Sequence, residues 1–294
     1  MRNIIKKGFE TIGRLLTEDI KNRLNQVKTE INFTRTILIE DYLKNNLFNN
    51  PKYANDKKLS KYEFQVYSQH GEDGIIQEIF RRIGTTNQFF VEFGVEKGLE
   101  CNSLFLIAKG WSGCWLDSGK GYVKEMHKKF KFLISEKRLA IKHGFITAEN
   151  IEQLLSSLSI PREFDLLSID IDGNDYWVWR AIQTYSPRVV VIEYNSIFRP
   201  PLEYIVKYDA KKVFPITSYF GASLKSMELL GFEKGYSLVG CNFDGTNAFF
   251  IRQDLVRDRF FGPFIAENHY EPPRYYLYTK IGHKTDFGAF VNKP

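Results

Sequence analysis

Three stretches of this chain carry carboxylates and amides at spacings that could do chemistry. The first is Val91-Glu92-Phe93-Gly94-Val95-Glu96-Lys97-Gly98-Leu99-Glu100-Cys101-Asn102, an apolar run broken by a G-x-x-x-G turn. The second, Gly113-Cys114-Trp115-Leu116-Asp117-Ser118, reaches a carboxylate twenty-five residues after Glu92. The third is a pair, Ser168-Ile169-Asp170-Ile171-Asp172-Gly173-Asn174-Asp175 and Ile192-Glu193-Tyr194-Asn195. A glycine turn at a strand end lets backbone amides approach a ligand, and its dinucleotide version, G-x-G-x-x-G, serves an anionic pyrophosphate. That third glycine is missing here, and Glu92, Glu96 and Glu100 would oppose a pyrophosphate. An acidic turn suits a cationic ligand. S-adenosylmethionine carries a sulfonium and an ammonium, and a strand-end carboxylate such as Glu92 could bind the latter. Asp117 stands near the offset of about 20 residues at which an acid grips both hydroxyls of a ribose. The plain alternatives are an ordinary strand-to-helix turn and a helix cap.

Asp170 and Glu193 close two further apolar runs and point to the same rim. With Asn195 they could hold Mg²⁺, which would orient a diol and lower its hydroxyl pKa. Alternatively, Asp170 or His70 acts directly as general base toward an acceptor hydroxyl. Asp172 and Asp175 also read as caps of a helix over 174–184. The remaining histidines, His127, His143, His269 and His283, show no ligand spacing, and most read as surface groups. Of Trp177 and Trp179, at least one belongs to the core. No G-x-S-x-G elbow or G-x-x-x-x-G-K-[ST] loop is present, which argues against α/β-hydrolase and P-loop chemistry.

Positioning such residues takes strands that alternate with helices. From Tyr67 onward short apolar runs and helical periods alternate, as in a doubly wound α/β sheet. The pattern predicts helices at 72–83, 100–109, 120–131, 147–157 and 174–184, and strands at 89–93, 113–117, 139–141, 164–170 and 188–194. After the long segment from Asn195 to Phe220 it predicts a helix at 221–230 closed by Gly231. An antiparallel hairpin follows, made by GFEKGYSLVG and TNAFFIR.

At 294 residues the chain accommodates one large domain with an appendage. Residues 1–61 hold 13 Lys/Arg and 7 Asp/Glu, which leaves 28 of each sign in the rest. The basic excess therefore lies outside the main domain, which lacks a footprint for a phosphate backbone and excludes nucleic acid as the expected partner. Ile5, Phe9, Ile12, Leu16, Ile20, Leu24, Val27 and Ile31 mark an amphipathic helix over the first 45 or so residues, with one stutter near Ile20. Three roles suit it: packing on the domain, self-association, or peripheral contact with an anionic membrane. Asn45 to Lys61 reads as a linker, giving an extension over 1–61, a domain over 62–256 and an aromatic tail over 257–294 that packs on the domain. Three cysteines without C-x-x-C, and no continuous apolar leader, predict a cytoplasmic chain without disulfides or structural zinc.

Residues 67–252 resemble the class I methyltransferases that use S-adenosylmethionine, and within them the FkbM-type group of sugar and polyketide O-methyltransferases. The resemblance rests on Ser68-Gln69-His70-Gly71-Glu72-Asp73-Gly74, VEFGVEKGLECN, GWSGCWLDSG and SIDIDGND, the last departing from K-I-D-x-E-G-x-E at Ser168, Asp172 and Asp175. It implies a Rossmann-like sheet of seven strands with the terminal hairpin inserted antiparallel. It also implies a cofactor site that adds Gln69, Glu72, Gly94, Gly98, Asn102 and Ser118 to Glu92 and Asp117, with Gln69 and Glu72 closing over its methionine end. His70, Asp170 and Glu193 are the expected catalytic groups, and Asp172, Asn195, Arg199 and Tyr219 the expected contacts of a sugar or nucleotide-sugar acceptor, Arg199 toward a diphosphate. The competing readings are an NAD(P)-dependent oxidoreductase and a non-catalytic oligomerising partner with a degenerate methyltransferase body.

Overall fold

The computed structural model describes residues 2–211, 217–277 and 285–288, with side chains in the first helix described from residue 17. Residues 2–50 form one compact unit and the body beginning at Pro51 another. The first unit is a 42-residue helix, α1 (Arg2–Leu43), followed by a wider turn at Lys44–Phe48. Ile20, Leu24, Val27, Ile31 and Leu38 fall on one stripe of α1 and are at least half exposed. No helix among the described residues is long and apolar enough to cross a membrane.

The body alternates helix and strand in the expected order. It runs α2 (Glu72–Ile83), β1 (Phe89–Phe93), α3 (Leu104–Ala108), β2 (Ser112–Asp117), α4 (Lys120–Lys129), α5 (Lys131–Ser135) and β3 (Leu139–His143). It continues with α6 (Ile151–Ser157), β4 (Glu163–Ile169), α7 (Asp175–Ala181), β5 (Ser186–Glu193), α8 (Leu224–Glu233), β6 (Tyr236–Cys241) and β7 (Asn247–Arg252). Short helices α9 (Gln253–Val256) and α10 (Ala266–His269) follow. One sheet contains all seven strands in the order β3-β2-β1-β4-β5-β7-β6, parallel except for β7, which runs antiparallel to both β5 and β6. This is a Rossmann-like sheet ending in an antiparallel hairpin, as expected.

The central strands are apolar throughout because helices cover both faces. Alternation along each strand divides their side chains between two cores. Phe90, Leu166, Val189 and Val191 join one, and Val91, Phe93, Leu167, Ile169, Val190 and Ile192 join the other. The reversal of strand order between β1 and β4 opens a crevice beyond their carboxyl ends, the usual place for a ligand in such a sheet.

Several expected boundaries move, each for a visible reason. Gly231 does not end a helix; it lies inside α8, where a Cβ would come within 2.7 Å of the Phe250 ring, and the turn into β6 is made by Gly235 at φ +83. The helix expected from 120 to 131 breaks at the buried Phe130, which separates α4 from α5. Residues 51–61 are not a free linker. Leu59 is buried in the first core and sits against Gly240, while the Tyr53 hydroxyl donates to Glu271 at 2.7 Å. Of the aromatic tail, Tyr270 donates to the Ser196 carbonyl at 2.6 Å and Phe287 packs on Phe130 and Phe132.

Candidate functional site

The loop after β1 is built by the residues beneath it. Both oxygens of the buried Glu92 carboxylate are engaged there, accepting from the Asn102 amide at 2.8 Å, the Ser103 amide at 3.0 Å and the Ser103 hydroxyl at 2.5 Å. Ser103 in turn accepts from the Trp115 indole at 2.8 Å, and the Asn102 side chain donates to Ser168 Oγ at 3.0 Å. These bonds tie down the amides of residues 102 and 103 just ahead of α3, which begins at Leu104 and not near 100 as expected. They also place Glu92 differently from expectation: the carboxylate closes the loop from below and is not among the residues that line the cleft described below. Burial, relieved in part by the Ser103 bond, holds its pKa above the usual range.

Gly94 is the point of closest approach. Its φ is +74, its amide donates to the Leu116 carbonyl at 3.0 Å, and a Cβ here would stand 1.6 Å from the Asp170 carbonyl oxygen. A side chain is therefore excluded at the position where the loops after β1 and β4 meet. Gly98, at φ +67, presses instead on Trp115, away from the crevice. Asp117 at the end of β2 accepts from the Glu96 amide at 2.8 Å and the Gly119 amide at 2.6 Å, so it pins both loops; the N-cap of α4 is Gly119, and Asp117 does not cap that helix.

A cleft of about 210 Å³, open to solvent, lies between these loops. It brings together five of the expected residues: Gly94, Asp117, Ser118, Asp170 and Asp172. It adds Glu96, Tyr122, Phe145, Ile146 and Asn174. No lysine, arginine or histidine is among the residues that line it. Burial, then Glu96 and Asp117, raises the pKa of Asp172. Asn174, only 3% exposed, donates to the Asp209 carbonyl at 2.8 Å and leaves its Oδ1 without a hydrogen-bond partner.

Asp170, Asp172 and Glu193 form a second group, with one carboxylate oxygen from each lying within 4.8 Å of the others. Burial and mutual repulsion, with Asp175 contributing, hold Asp170 and Glu193 well above the usual carboxylate range. Asp175, the first residue of α7, accepts from the amides of Ile171 at 2.8 Å and Gly173 at 2.9 Å, which precede the helix, so it braces the loop after β4 and does not cap α7; burial raises its pKa to about 6. Three hard oxygen donors fit a divalent cation. Asp172 joins Asp170 and Glu193 in this group; of the expected third ligand, Asn195, the side-chain nitrogen donates to the Ser218 and Phe220 carbonyls, both at 3.0 Å, and Oδ1 accepts from the Ile197 amide at 3.3 Å.

A third group surrounds His70. Its ring Nδ1 meets the Asp244 carboxylate, its amide donates to Glu72 at 2.8 Å, and its carbonyl accepts from Asn242 at 3.0 Å. Burial alone would lower the His70 pKa, but the bond to and charge of Asp244 outweigh it and the net direction is up. Glu72 is buried, accepts from Asn247 at 2.7 Å, and has a pKa raised by that burial. Gln69, half-buried, accepts at its carbonyl from the Gln65 side chain at 3.0 Å. Of the expected acceptor contacts, Arg199 and Tyr219 are exposed on the segment after β5, where Phe198 stacks on Tyr204 at 4.0 Å and Tyr204 meets Tyr219 edge-on. Two hydrogen bonds to main-chain carbonyls, Trp177 to Val206 at 2.8 Å and Asn174 to Asp209, dock this segment on α7. Trp179 is the core tryptophan. Of the histidines expected to be mostly at the surface, His127 and His143 are exposed, His269 is buried and His283 lies outside the described residues.

No family model matches the chain, and no curated protein matches it. Solved structures do, at a distance. The O-methyltransferase from Bacillus cereus, in complex with S-adenosylhomocysteine, is 14% identical over 77% of this chain and 97% of that one, with a TM-score of 0.40. The N-terminal domain of EvdMO1 with the same compound bound is 11% identical over 64% and 88%, also at 0.40. NcsB1, the O-methyltransferase of neocarzinostatin biosynthesis in complex with S-adenosylmethionine and a naphthoic acid, is 15% identical over 56% and 49%, at 0.36.

Proposed function

We propose that this protein is an S-adenosylmethionine-dependent O-methyltransferase acting on a hydroxyl of a small molecule, a sugar or nucleotide-linked sugar. The observation that carries the reading is the charge of the cleft. Glu96, Asp117, Asp170 and Asp172 line it with no basic side chain among them, so a pyrophosphate would be repelled and a sulfonium attracted. That disfavours the NAD(P) reading.

When bound, S-adenosylmethionine supplies an activated methyl group with its own leaving group. What the chain's residues contribute is position and proton handling. Asp117 would offer its remaining lone pairs to ribose hydroxyls, and Tyr122, Phe145 and Ile146 would supply apolar surface for the purine. The carboxylate of Glu96 would hold the positive charge, Asp172 belonging to the group that fits a cation. On the acceptor side His70 takes the hydroxyl proton, with Asp170 and Glu193 beside the reacting oxygen. Mg²⁺ fits at Asp170, Asp172 and Glu193, where it would lower the pKa of an acceptor hydroxyl.

The test is incubation of the full chain with S-adenosylmethionine and a panel of free and nucleotide-linked sugars, with Mg²⁺ or with EDTA, reading S-adenosylhomocysteine by mass spectrometry. Turnover with a panel member supports the reading. Turnover that requires a reduced nicotinamide, or none with any hydroxylated acceptor, overturns it.

A further inference from the structure

We propose that Asp244, at the turn between β6 and β7, is the positioning residue that keeps the His70 proton on Nδ1 and so makes Nε2 the proton-accepting nitrogen. The role assigned to that nitrogen rests on the methyl-transfer reading; the geometry does not.

The pair joins segments 174 residues apart, and the hairpin grips the His70 segment at two more points. Asn242 holds the His70 carbonyl, while Asn247 holds Glu72 Oε1 as Glu72 Oε2 holds the His70 amide. The main chain of residue 70 is thus fixed on both sides before the ring is considered. Asp244 is fixed as well. It is 5% exposed, its Oδ1 accepts from the Thr246 amide at 3.2 Å, and its carbonyl accepts from the Arg274 amide at 2.7 Å. The next residue, Gly245, has φ +82 and no room for a Cβ, which would fall 2.6 Å from the Pro272 carbonyl oxygen. The turn is therefore clamped between the body and the segment after α10.

An imidazole has one donor and one acceptor nitrogen when neutral, and the partner of one decides the role of the other. Three carboxylates act on His70: Asp244 at the ring, Glu72 at the main chain, and Asp170 through its charge. Glu63, which accepts from the Phe243 amide at 2.5 Å, stands behind Asp244 and repels it. A carboxylate at Nδ1 holds the proton there, and the neutral ring then carries its lone pair at Nε2.

The experiment is nitrogen-detected NMR of the histidine rings in the full chain, at alkaline pH where the ring is neutral, for wild type, Asp244→Asn and Asp244→Glu. The expected wild-type ring is protonated at Nδ1. Asp244→Asn should move the tautomer ratio toward Nε2 by about tenfold or more, and Asp244→Glu should restore it. With an acceptor that is turned over, Asp244→Asn should lower kcat by about 100-fold, leave the affinity for S-adenosylmethionine unchanged, and cost nothing further in His70→Gln. An Nε2-protonated wild-type ring overturns the proposal, and that spectrum needs no variant to fold. So does a kcat loss from Asp244→Asn that is just as large without His70, which would make the pair a clamp only. If no acceptor is turned over, the methyl-transfer reading fails while the ring spectra still decide what Asp244 does.

Discussion

Replacing Gly94 with alanine separates the cost of a strained backbone from the cost of losing the cleft. Alanine at φ +74 costs about 1–2 kcal/mol relative to glycine. The Cβ would also begin 1.6 Å from the Asp170 carbonyl oxygen, so one loop must retreat by about 1.4 Å to reach a 3.0 Å contact. A shift of about 1 Å in a positioned group can cost about 100-fold in function. We therefore expect S-adenosylmethionine affinity to fall by about 100-fold, or about 2.8 kcal/mol, and unfolding stability by about 2–4 kcal/mol. Gly110→Ala is the control. Its φ is +96 and a Cβ there meets nothing within 4 Å, so it should cost about 1 kcal/mol in stability and nothing in affinity. Calorimetric titration and urea unfolding of the two variants provide the comparison. Wild-type affinity in Gly94→Ala, with a stability loss no larger than that of Gly110→Ala, would refute the close-approach argument.

Three further outcomes are expected. Arg188→Ala breaks a buried pair with Asp165 at 2.6 Å at the start of β4 and β5, far from the cleft; urea unfolding should show a loss of about 3–5 kcal/mol while S-adenosylmethionine affinity at low temperature stays as in wild type. His269 is buried with an unpartnered Nε2, and burial lowers its pKa to about 4, so its neutral form supports the fold above its unfolded pKa of about 6.5. Wild type should lose about 3 kcal/mol relative to His269→Phe as pH falls from about 6.5 through 4, measured by unfolding at each pH. The exposed stripe Ile20, Leu24, Val27, Ile31 and Leu38 of α1 follows a heptad, so light scattering should give a multiple of the chain mass for the full protein and a monomer for a chain beginning at Pro51.

Strand positions were legible because buried strands write their own pattern. FFVEF and SPRVVVIE are apolar and β-branched, and they became β1 and β5 within two residues of expectation. Helix ends were less legible, since groups distant in sequence surround them: Glu92 ties down the amides just before α3, and Gly231, inside α8, lies against the Phe250 ring. The same distinction governs the site. Asp117, Asp170 and Asp172 sit at strand ends and were found by position. Glu92 and Asn102 carry the right chemistry at the right place, but side-chain direction along β1 turns Glu92 toward the core that also holds Phe90. Phe145 and Ile146 directly follow the end of β3, an apolar pair after Gly144 that position alone could have flagged. Asp244 had no local signal. Its partner is 174 residues away, and only the antiparallel insertion of β7 brings the hairpin turn to His70.

The most direct test of the central claim is calorimetric titration of the purified chain with S-adenosylmethionine and with NAD⁺ in parallel, repeated on Asp117→Ala. A cleft lined by Glu96, Asp117, Asp170 and Asp172 without a basic residue predicts saturable binding of S-adenosylmethionine alone, weakened by the substitution. Binding of NAD⁺ alone, or of neither compound, would contradict it.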